Sequence, residues 1–431
     1  MSRKLVVLHI DGVSADFLAK ALAAGEMPFV QHLIDAEGYE LHRYRCGVPS
    51  TTPFAQAGIL YGDNIEIPSF RWWDRERSVV VQFGAGSTFK SVADKASVLV
   101  PYLANPIHLG DWVVQTVAVL ARTAKDYAIA RSEGRHPARG YVAVDVVEEI
   151  FVHHLTRYAV QKAMREGYSP IYGAFYAFDE TAHAFGPSDR SAMHVLKHVD
   201  RTIRKVASVR GEAYELLVLS DHGQVETTRF AGARGRAFGE VLAELLPGFR
   251  IQEIKGAHYG PPEDQATGRV RVTMSGGLAH VYFDGRRARM GHTELTAQHP
   301  DLARAVSGLR QVALVMSRDG GEDVFHVRGE EIRGPRIKPL LAAYDDPDIL
   351  FAQLSRLNSF QSCGDLIVFG AFVDGKQVNF EDQAGGHGSI GGDQLHPFVL
   401  AKKEWEIDTS SVRGAHELHP ILSRLRDRLA T

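Results

Sequence analysis

Short apolar segments that end directly in acidic residues are the feature that most constrains the fold. Residues 5–10 read LVVLHI and are followed by Asp11, and residues 215–220 are followed by Asp221. These runs lack polar alternation, as expected for strands buried on both faces of a parallel sheet. Three similar runs are found elsewhere in the chain, at residues 171–178, 366–372 and 397–401. The pattern therefore predicts five buried strands.

Amphipathic stretches separate these strands, notably at residues 144–166 and 191–209, where apolar positions recur every three or four residues. The alternation predicts an α/β fold with a doubly wound, mostly parallel sheet flanked by helices. Two regions depart from it. Residues 85–139 have a mostly helical pattern, and residues 230–358 carry Gly-Pro-rich turns and short strands. We expect a helical insert and a smaller α+β insert in a core formed by residues 1–229 and 359–431.

Composition excludes several classes of protein. The 431 residues include 49 Lys and Arg against 52 Asp and Glu, a net charge of −3. This balance provides no general basic field for a nucleic-acid backbone, so we expect no specific nucleic-acid binding. Cys46 and Cys363 are the only cysteines. They allow at most one disulfide and no cysteine-rich zinc module, which favours a reducing compartment.

The N-terminal apolar run is too short for a signal peptide and has no small-residue cleavage site. No run of about 18 uncharged apolar residues occurs, so the sequence predicts no transmembrane segment. We therefore expect a cytoplasmic protein. The sequence makes no prediction of its oligomeric state.

The ends of the predicted strands are rich in metal-binding side chains. In open α/β sheets, ligands bind beyond the carboxyl ends of the strands. Six candidates lie at or near such ends: Asp11, Asp179, His183, Asp221, His222 and His387. Asp and His ligands without Cys suit zinc in a catalytic site, and two sets of three predict two ions. Two adjacent metals suit displacement reactions at phosphorus.

Each pattern also has an ordinary structural explanation. Asp179 and His183 are four residues apart, so they share a helix face, but the pair also fits a helix cap and an unrelated histidine. Asp221 and its neighbour His222 bind one ion only if the strand has ended there. The nearby His396 is an alternative to His387 as the metal ligand in the C-terminal part of the chain. The prediction rests on the coincidence of the whole set.

A hydroxyl-rich turn, PSTTP at residues 49–53, opens a predicted helix. A hydroxyl at a helix N-terminus lies where the dipole and free N–H groups favour a phosphate, and it can act as a nucleophile. The same turn also fits a simple N-cap followed by proline.

Taken in order, these segments resemble the alkaline phosphatase superfamily, most closely uncharacterised bacterial members of its nucleotide pyrophosphatase/type I phosphodiesterase branch. The matching motifs are Asp11, the turn at 49–52 with Gly62, Asp179 with His183, Asp221-His222-Gly223, and His387-Gly388. The resemblance implies an alkaline phosphatase-like catalytic core. Its spacing selects Thr52 over Thr51 as the nucleophile, because Thr52 lies three residues after Pro49 and ten before Gly62.

The resemblance also implies a set of ligands and a reaction. One zinc ion would be bound by Asp179, His183 and His387, and the other by Asp11, Thr52, Asp221 and His222. Thr52 would form a covalent phosphothreonine. The sequence lacks the C-x-P-S-R-like turn of sulfatases, whereas Ser50 leaves open the serine- and manganese-dependent mutases of the superfamily.

One departure from the family concerns phosphate binding. Nucleotide-cleaving members carry an Asn about twenty residues after the nucleophile, where this sequence reads SFRWWDRE. Arg71 or Asn64 could replace it, while Trp72 and Trp73 are interpreted as packing residues.

The sequence therefore predicts a zinc-dependent phosphodiesterase acting on a small-molecule phosphodiester or nucleotide-like substrate. Diesters are expected to be preferred over monoesters. The alternatives are a phosphomonoesterase or phosphotransferase of the same superfamily, and a non-catalytic envelope-associated scaffold.

Overall fold

A five-stranded sheet and a seven-stranded sheet form the body of the protein. The computed structural model describes residues 2–83, 106–133, 152–254 and 268–431. The described strands are β1 (Lys4–Ile10), β2 (Tyr39–Arg43), β3 (Arg71–Asp74), β4 (Val79–Gln82), β5 (Ile171–Phe175), β6 (Tyr214–Leu219), β7 (Val225–Arg229), β8 (Arg250–Ile254), β9 (Arg269–Ser275), β10 (Leu278–Phe283), β11 (Val312–Asp319), β12 (Glu322–Val327), β13 (Glu330–Arg333), β14 (Leu366–Gly370), β15 (Phe372–Val373), β16 (Lys376–Asn379), β17 (Gly385–Gly386) and β18 (Phe398–Lys402).

Helices lie between most of these strands. The described α-helices are α1 (Ala15–Ala23), α2 (Pro28–Glu37), α3 (Thr52–Tyr61), α4 (Pro106–Ser132), α5 (His153–Arg165), α6 (Ala177–Phe185), α7 (Arg190–Ala207), α8 (Phe230–Arg234), α9 (Phe238–Leu245), α10 (His292–Gln298), α11 (Leu302–Ser307), α12 (Lys338–Leu341), α13 (Pro347–Asn358) and α14 (Ala415–Ala430). None of the helices in the described ranges combines the length and apolar character needed to cross a bilayer.

The five-stranded sheet has the order β2-β18-β6-β1-β5. Strand β1 runs parallel to both β5 and β6, whereas β18 is antiparallel to β6 and β2, so the prediction of a parallel strand at residues 397–401 was wrong. Alternate residues of β1 point to opposite faces: Val6 and Leu8 pack with α1, α2, α5 and α7, and Leu5 and Val7 pack with α3 and α14. Helices thus cover both faces of this sheet, which explains its unbroken apolar runs, and the prediction of an α/β fold is confirmed.

The seven-stranded sheet has the order β13-β12-β11-β14-β10-β9-β8. The prediction that residues 366–372 belong to the parallel sheet was wrong, because β14 pairs antiparallel with β10 and β11. Both faces of β14 are buried, Leu366 and Val368 on one side and Ile367 and Phe369 on the other. An unbroken apolar run indicates burial on both faces, which an antiparallel sheet between two cores also provides. The insert boundaries at 230 and 358 stay predictions.

Several other predicted elements have different bounds. Strand β5 ends at Phe175 rather than at residue 178, because α6 begins at Ala177. The prediction of a helix at 191–209 corresponds to α7, and that at 144–166 corresponds to α5 over its described part. Within the predicted helical insert at 85–139, Pro106–Ser132 form the helix α4. Residues 84–105 and 134–151 lie outside the described residues. Both cysteines are buried and unpaired.

Candidate active site

The carboxyl ends of three parallel strands meet at one edge of the five-stranded sheet. Asp11 follows β1, Asp221 and His222 follow β6 by two and three residues, and α6 follows β5. Asp179 and His183 lie in α6, Thr52 is the first residue of α3, and His387 follows β17 directly. The structure brings all seven predicted residues together in two contiguous groups, as the following distances show.

The first group contains Asp179, His183 and His387. Nε2 of His183 lies 3.0 Å from Oδ2 of Asp179 and 3.2 Å from Nε2 of His387. Nε2 of His387 lies 3.7 Å from Oδ1 of Asp179. Zinc–ligand bonds of about 2.0–2.2 Å place neighbouring ligand atoms about 3.3–3.6 Å apart in a tetrahedron. The spacing of these three side chains therefore suits one ion.

Both imidazoles of this group are oriented by backbone carbonyls. Nδ1 of His387 lies 2.7 Å from the Ser50 carbonyl oxygen, and Nδ1 of His183 lies 3.0 Å from that of Gly385. A proton on each Nδ1 leaves the Nε2 lone pair free to bind a metal, which is the usual arrangement of histidine ligands. The side chain of Gln224 donates to Asp179 Oδ1 at 2.5 Å and fixes that carboxylate as well.

The second group surrounds Nε2 of His222. This atom lies 3.1 Å from Thr52 Oγ1, 3.3 Å from Asp11 Oδ1 and 3.6 Å from Asp221 Oδ2. Nδ1 of His222 lies 3.0 Å from the carbonyl oxygen of Gly223, so this ring is also held with Nε2 facing the group. The two groups adjoin, because the His222 and His387 rings stack with centroids 3.9 Å apart.

Two unsatisfied oxygens show that the second group fits a cation. Asp11 Oδ1 and Asp221 Oδ2 are buried and have no hydrogen-bond partner among the described residues. Burial, and then the charges of Asp221 and Asp179, raise the pKa of the Asp11 carboxyl well above its ordinary value. A buried carboxylate without a counter-charge is costly, and a bound divalent cation would remove this cost.

The first group has a different charge balance. Burial alone would raise the pKa of Asp179, but the charges of His183 and His387 hold it below its ordinary value. Burial lowers and Asp179 raises the pKa of His183, with a net rise to about 9. Asp179 and His183 thus stabilise each other's charged forms, and a metal ion bound to both would take the place of the proton on His183 Nε2.

The three hydroxyls of the turn before α3 have different surroundings. Ser50 Oγ accepts the backbone N–H of Gly388 at 2.9 Å, which ties the turn to the segment that carries His387. Thr51 Oγ1 is buried and has no hydrogen-bond partner in the described part of the chain. Only the Thr52 hydroxyl contacts the Asp and His cluster among the described contacts of these three.

Sequence reasoning missed His9. Its Nε2 lies 2.9 Å from Asp221 Oδ1, on the other side of that carboxylate from His222, and its Nδ1 lies 3.2 Å from the Gln56 amide nitrogen. The signal was available: His9 interrupts an otherwise apolar strand two residues before Asp11, so both side chains leave β1 on the same face.

The proposed replacements for the missing Asn have other partners. Asn64 donates to the Phe54 carbonyl oxygen at 2.9 Å and accepts from Arg356 at 2.6 Å. Arg71 is buried and donates to Glu381 at 2.7 Å and to the Met274 carbonyl oxygen. Neither side chain is therefore poised to bind a phosphoryl oxygen in this structure.

Trp73 and His396, two other residues considered in the sequence, lie outside the Asp and His cluster. Trp73 is buried, and Cζ of Arg271 lies 3.8 Å from the centroid of the Trp73 ring, in agreement with the packing interpretation. His396 lies 3.5 Å from Asp345 Oδ2 and contacts none of the two groups described above.

Two glycines allow the close packing at this edge. Gly12 has φ +78°, and a Cβ atom there would lie 2.5 Å from Asp179 Oδ1. Gly276 has φ +61° and lies against the carbonyl group of His387, so the β9–β10 turn of the second sheet supports the His387 segment. Side chains at either position would displace a predicted ligand.

The match to a family model, together with the α/β fold, identifies the class as a phosphoester hydrolase of the alkaline phosphatase superfamily. The family model for type I phosphodiesterase/nucleotide pyrophosphatase matches residues 5–358, and the chain belongs to this family. The resemblance inferred from the motifs is therefore confirmed. No curated protein matches the sequence.

Solved structures share this fold at low sequence identity. Phosphonoacetate hydrolase from Sinorhizobium meliloti 1021, in complex with phosphonoformate, is 14% identical with a TM-score of 0.52, over 98% of this chain and 96% of that chain. An inactive threonine-to-alanine variant of murine ectonucleotide pyrophosphatase/phosphodiesterase 5, in complex with AMP, is 13% identical with a TM-score of 0.52, over 99% of this chain and 95% of that chain.

Proposed function

We propose that this protein is a two-metal phosphodiesterase that cleaves phosphodiester or pyrophosphate bonds of small molecules through a phosphothreonine formed on Thr52. The observation that carries this proposal is the convergence of Thr52 Oγ1, Asp11 Oδ1 and Asp221 Oδ2 on Nε2 of His222, within 3.1–3.6 Å. A hydroxyl beside two carboxylates and an imidazole is suited to act as a nucleophile next to a metal ion.

The two groups would each hold one metal ion. Asp179, His183 and His387 would bind the first, and Asp11, Thr52, Asp221 and His222 the second. Zinc is favoured by the Asp and His ligands without Cys, with manganese as the alternative. When bound, the pair of ions would lower the pKa of the attacking hydroxyl and stabilise negative charge on the phosphoryl oxygens.

The chain's own residues supply the nucleophile and its position. Thr52 Oγ1 forms a bond to phosphorus while the bond to the leaving oxygen breaks, and the leaving group takes up a proton. Water then attacks the phosphothreonine, releases the phosphoryl product and restores the hydroxyl. Thr52 is the first residue of α3, so the positive end of the helix dipole lies beside its hydroxyl and favours a bound phosphoryl group.

The charges around Arg71 support a preference for diesters. A diester has one negative charge at phosphorus and a monoester nearly two, so monoester hydrolysis gains more from an additional cation. Arg71 is the cation that the sequence suggested for this role, but it pairs with Glu381. AMP and phosphonoformate in the similar structures are small phosphoryl compounds of the size we expect for the substrate.

The division of the chain into a catalytic core and two inserts is part of the same proposal. We take residues 1–229 and 359–431 as an alkaline phosphatase-like catalytic core, with a helical insert at about 85–139 and an α+β insert at 230–358. The helical insert would shape the substrate cleft. A cytoplasmic location likewise remains a prediction.

Hydrolysis rates on matched aryl phosphodiesters, phosphomonoesters and sulfates, with metal content measured on the same samples, test the proposal. We expect kcat/KM at least about tenfold higher for the diester than for the monoester, equal to about 1.4 kcal/mol of transition-state binding. A monoester preference would favour the phosphatase, and transfer to added alcohols the phosphotransferase. Metal-loaded protein without turnover on any of them would favour the scaffold.

A further inference from the structure

Two histidines and a glutamate meet at an edge of the seven-stranded sheet. His292 is the first residue of α10, His326 lies in β12, and Glu331 lies in the edge strand β13. The register of the β12–β13 hairpin places His326 directly opposite Glu331. Three separate elements thus bring potential metal ligands together, and the cluster contains none of the residues of the active site.

The spacing of the three side chains suits a single small cation. Glu331 Oε2 lies 3.2 Å from His292 Nε2 and 3.8 Å from His326 Nε2. The two imidazole rings have centroids 5.3 Å apart. The two distances from Glu331 Oε2 bracket the distance of about 3.3–3.6 Å between neighbouring ligand atoms in tetrahedral zinc sites.

Surrounding contacts orient two of the ligands. Nδ1 of His292 lies 2.9 Å from Ser317 Oγ, so its Nε2 is directed at the carboxylate. Glu331 Oε1 accepts from Nε of Arg333 at 2.7 Å, which leaves Oε2 to face both histidines. Oriented imidazole and carboxylate groups are typical of metal sites, where outer contacts fix the ligands.

The ion pair between His292 and Glu331 does not explain why His326 also lies in this cluster. His326 is only 6% exposed, and Nδ1 of its ring has no hydrogen-bond partner within the described ranges. Its Nε2 lies 3.8 Å from Glu331 Oε2, which is beyond hydrogen-bond distance. A shared cation would account for the approach of this ring to the carboxylate.

We propose that His292, His326 and Glu331 bind a divalent transition-metal ion of the zinc class, separate from the catalytic pair. Two His and one Glu are a recognised set of three zinc ligands, and the fourth position would be taken by water. The ion would fasten the N-terminus of α10 to the β12–β13 hairpin. The alternative is a metal-free cluster in which His292 Nε2 donates to Glu331 Oε2.

Zinc content in matched variants tests this proposal. The variants are His326→Gln and Glu331→Gln, and the control is His299→Gln, which changes the histidine that caps the other end of α10. Each protein is equilibrated with zinc, freed of excess by gel filtration, and analysed for zinc per chain. We expect the wild-type protein and the control to hold one equivalent more than the two variants, with unchanged phosphodiester hydrolysis in all four.

The difference in zinc content between the variants tests this site independently of the proposed active site. Equal zinc content in all four proteins would overturn the proposal, whatever the activity. Circular dichroism shows whether each variant is folded. If His326→Gln is misfolded, the zinc content of Glu331→Gln alone tests the proposal, because the Glu331 side chain is part-exposed and lies on an edge strand. Retention of the additional equivalent by folded Glu331→Gln protein would also contradict the proposal. With cobalt in place of zinc, a lower visible absorption in both variants than in the wild-type protein and the control, by the share of one tetrahedral ion, would support it.

Discussion

Thr52 Oγ1 lies 3.1 Å from Nε2 of His222, and this contact distinguishes Thr52 from the neighbouring hydroxyls of the same turn. It exists because Thr52 is the first residue of α3 and His222 follows the end of β6, so a helix start faces a strand end. The spacing of Pro49 and Gly62 predicts the same residue as the nucleophile, and that role stays a prediction.

Replacing the proposed nucleophile should abolish turnover without emptying the site. We expect Thr52→Ala to lower kcat by several orders of magnitude, because covalent attack is lost, while metal content stays near that of the wild-type protein. Thr51→Val is the matched control, since it keeps the shape of the side chain and removes a hydroxyl without a described partner. If Thr51→Val is the inactive variant, the register is wrong by one residue.

The convergence of the predicted ligand residues could be expected from the sequence, because several of them follow strand ends. Asp11, Asp221 and His222 come directly after apolar runs, and parallel strands bring their carboxyl ends to one edge. The placement of β14 was not predictable, since burial on both faces gives the same apolar run in either kind of sheet.

The surroundings of the site were less accessible to sequence analysis. His9 looked like part of a strand, and its contact with Asp221 depends on the pairing of β1 with β6. The pairing of Arg71 with Glu381 joins residues 310 positions apart, so no local pattern indicates it.

Metal content should distinguish the two late histidines. We expect His387→Ala to lose close to one zinc equivalent relative to the wild-type protein, because Nε2 of His387 faces Asp179 and His183. His396→Ala should keep the full content, since His396 lies beside Asp345 instead. Elemental analysis of both variants measures this. Equal losses would remove His387 from the ligand set.

His9 should position Asp221 rather than react. We expect His9→Gln to lower activity or metal affinity by about 10–100-fold, as changes in the outer contacts of metal ligands commonly do. Zinc titration monitored by activity gives the apparent affinity, and kcat at saturating zinc separates the two effects. Wild-type values for both would show that the 2.9 Å contact with Asp221 has no functional role.

The pair formed by Arg71 and Glu381 should matter mainly for stability. Both side chains are largely buried, so we expect Arg71→Met alone to lower the free energy of unfolding by about 3–5 kcal/mol, because the buried Glu381 carboxylate then loses the positive charge of Arg71. The double variant Arg71→Met/Glu381→Gln should recover part of this loss. Denaturant unfolding measures both. If Arg71→Met instead leaves stability intact and selectively impairs diester hydrolysis, Arg71 acts on the substrate.

The stereochemical course at phosphorus tests the central claim most directly. A phosphothreonine intermediate requires two in-line displacements, each of which inverts the configuration, so the account predicts net retention. The measurement uses a chiral phosphorothioate diester hydrolysed in isotopically labelled water, with the product configuration assigned by phosphorus nuclear magnetic resonance. Net inversion would show direct attack by water and would contradict the assignment of Thr52 as the nucleophile.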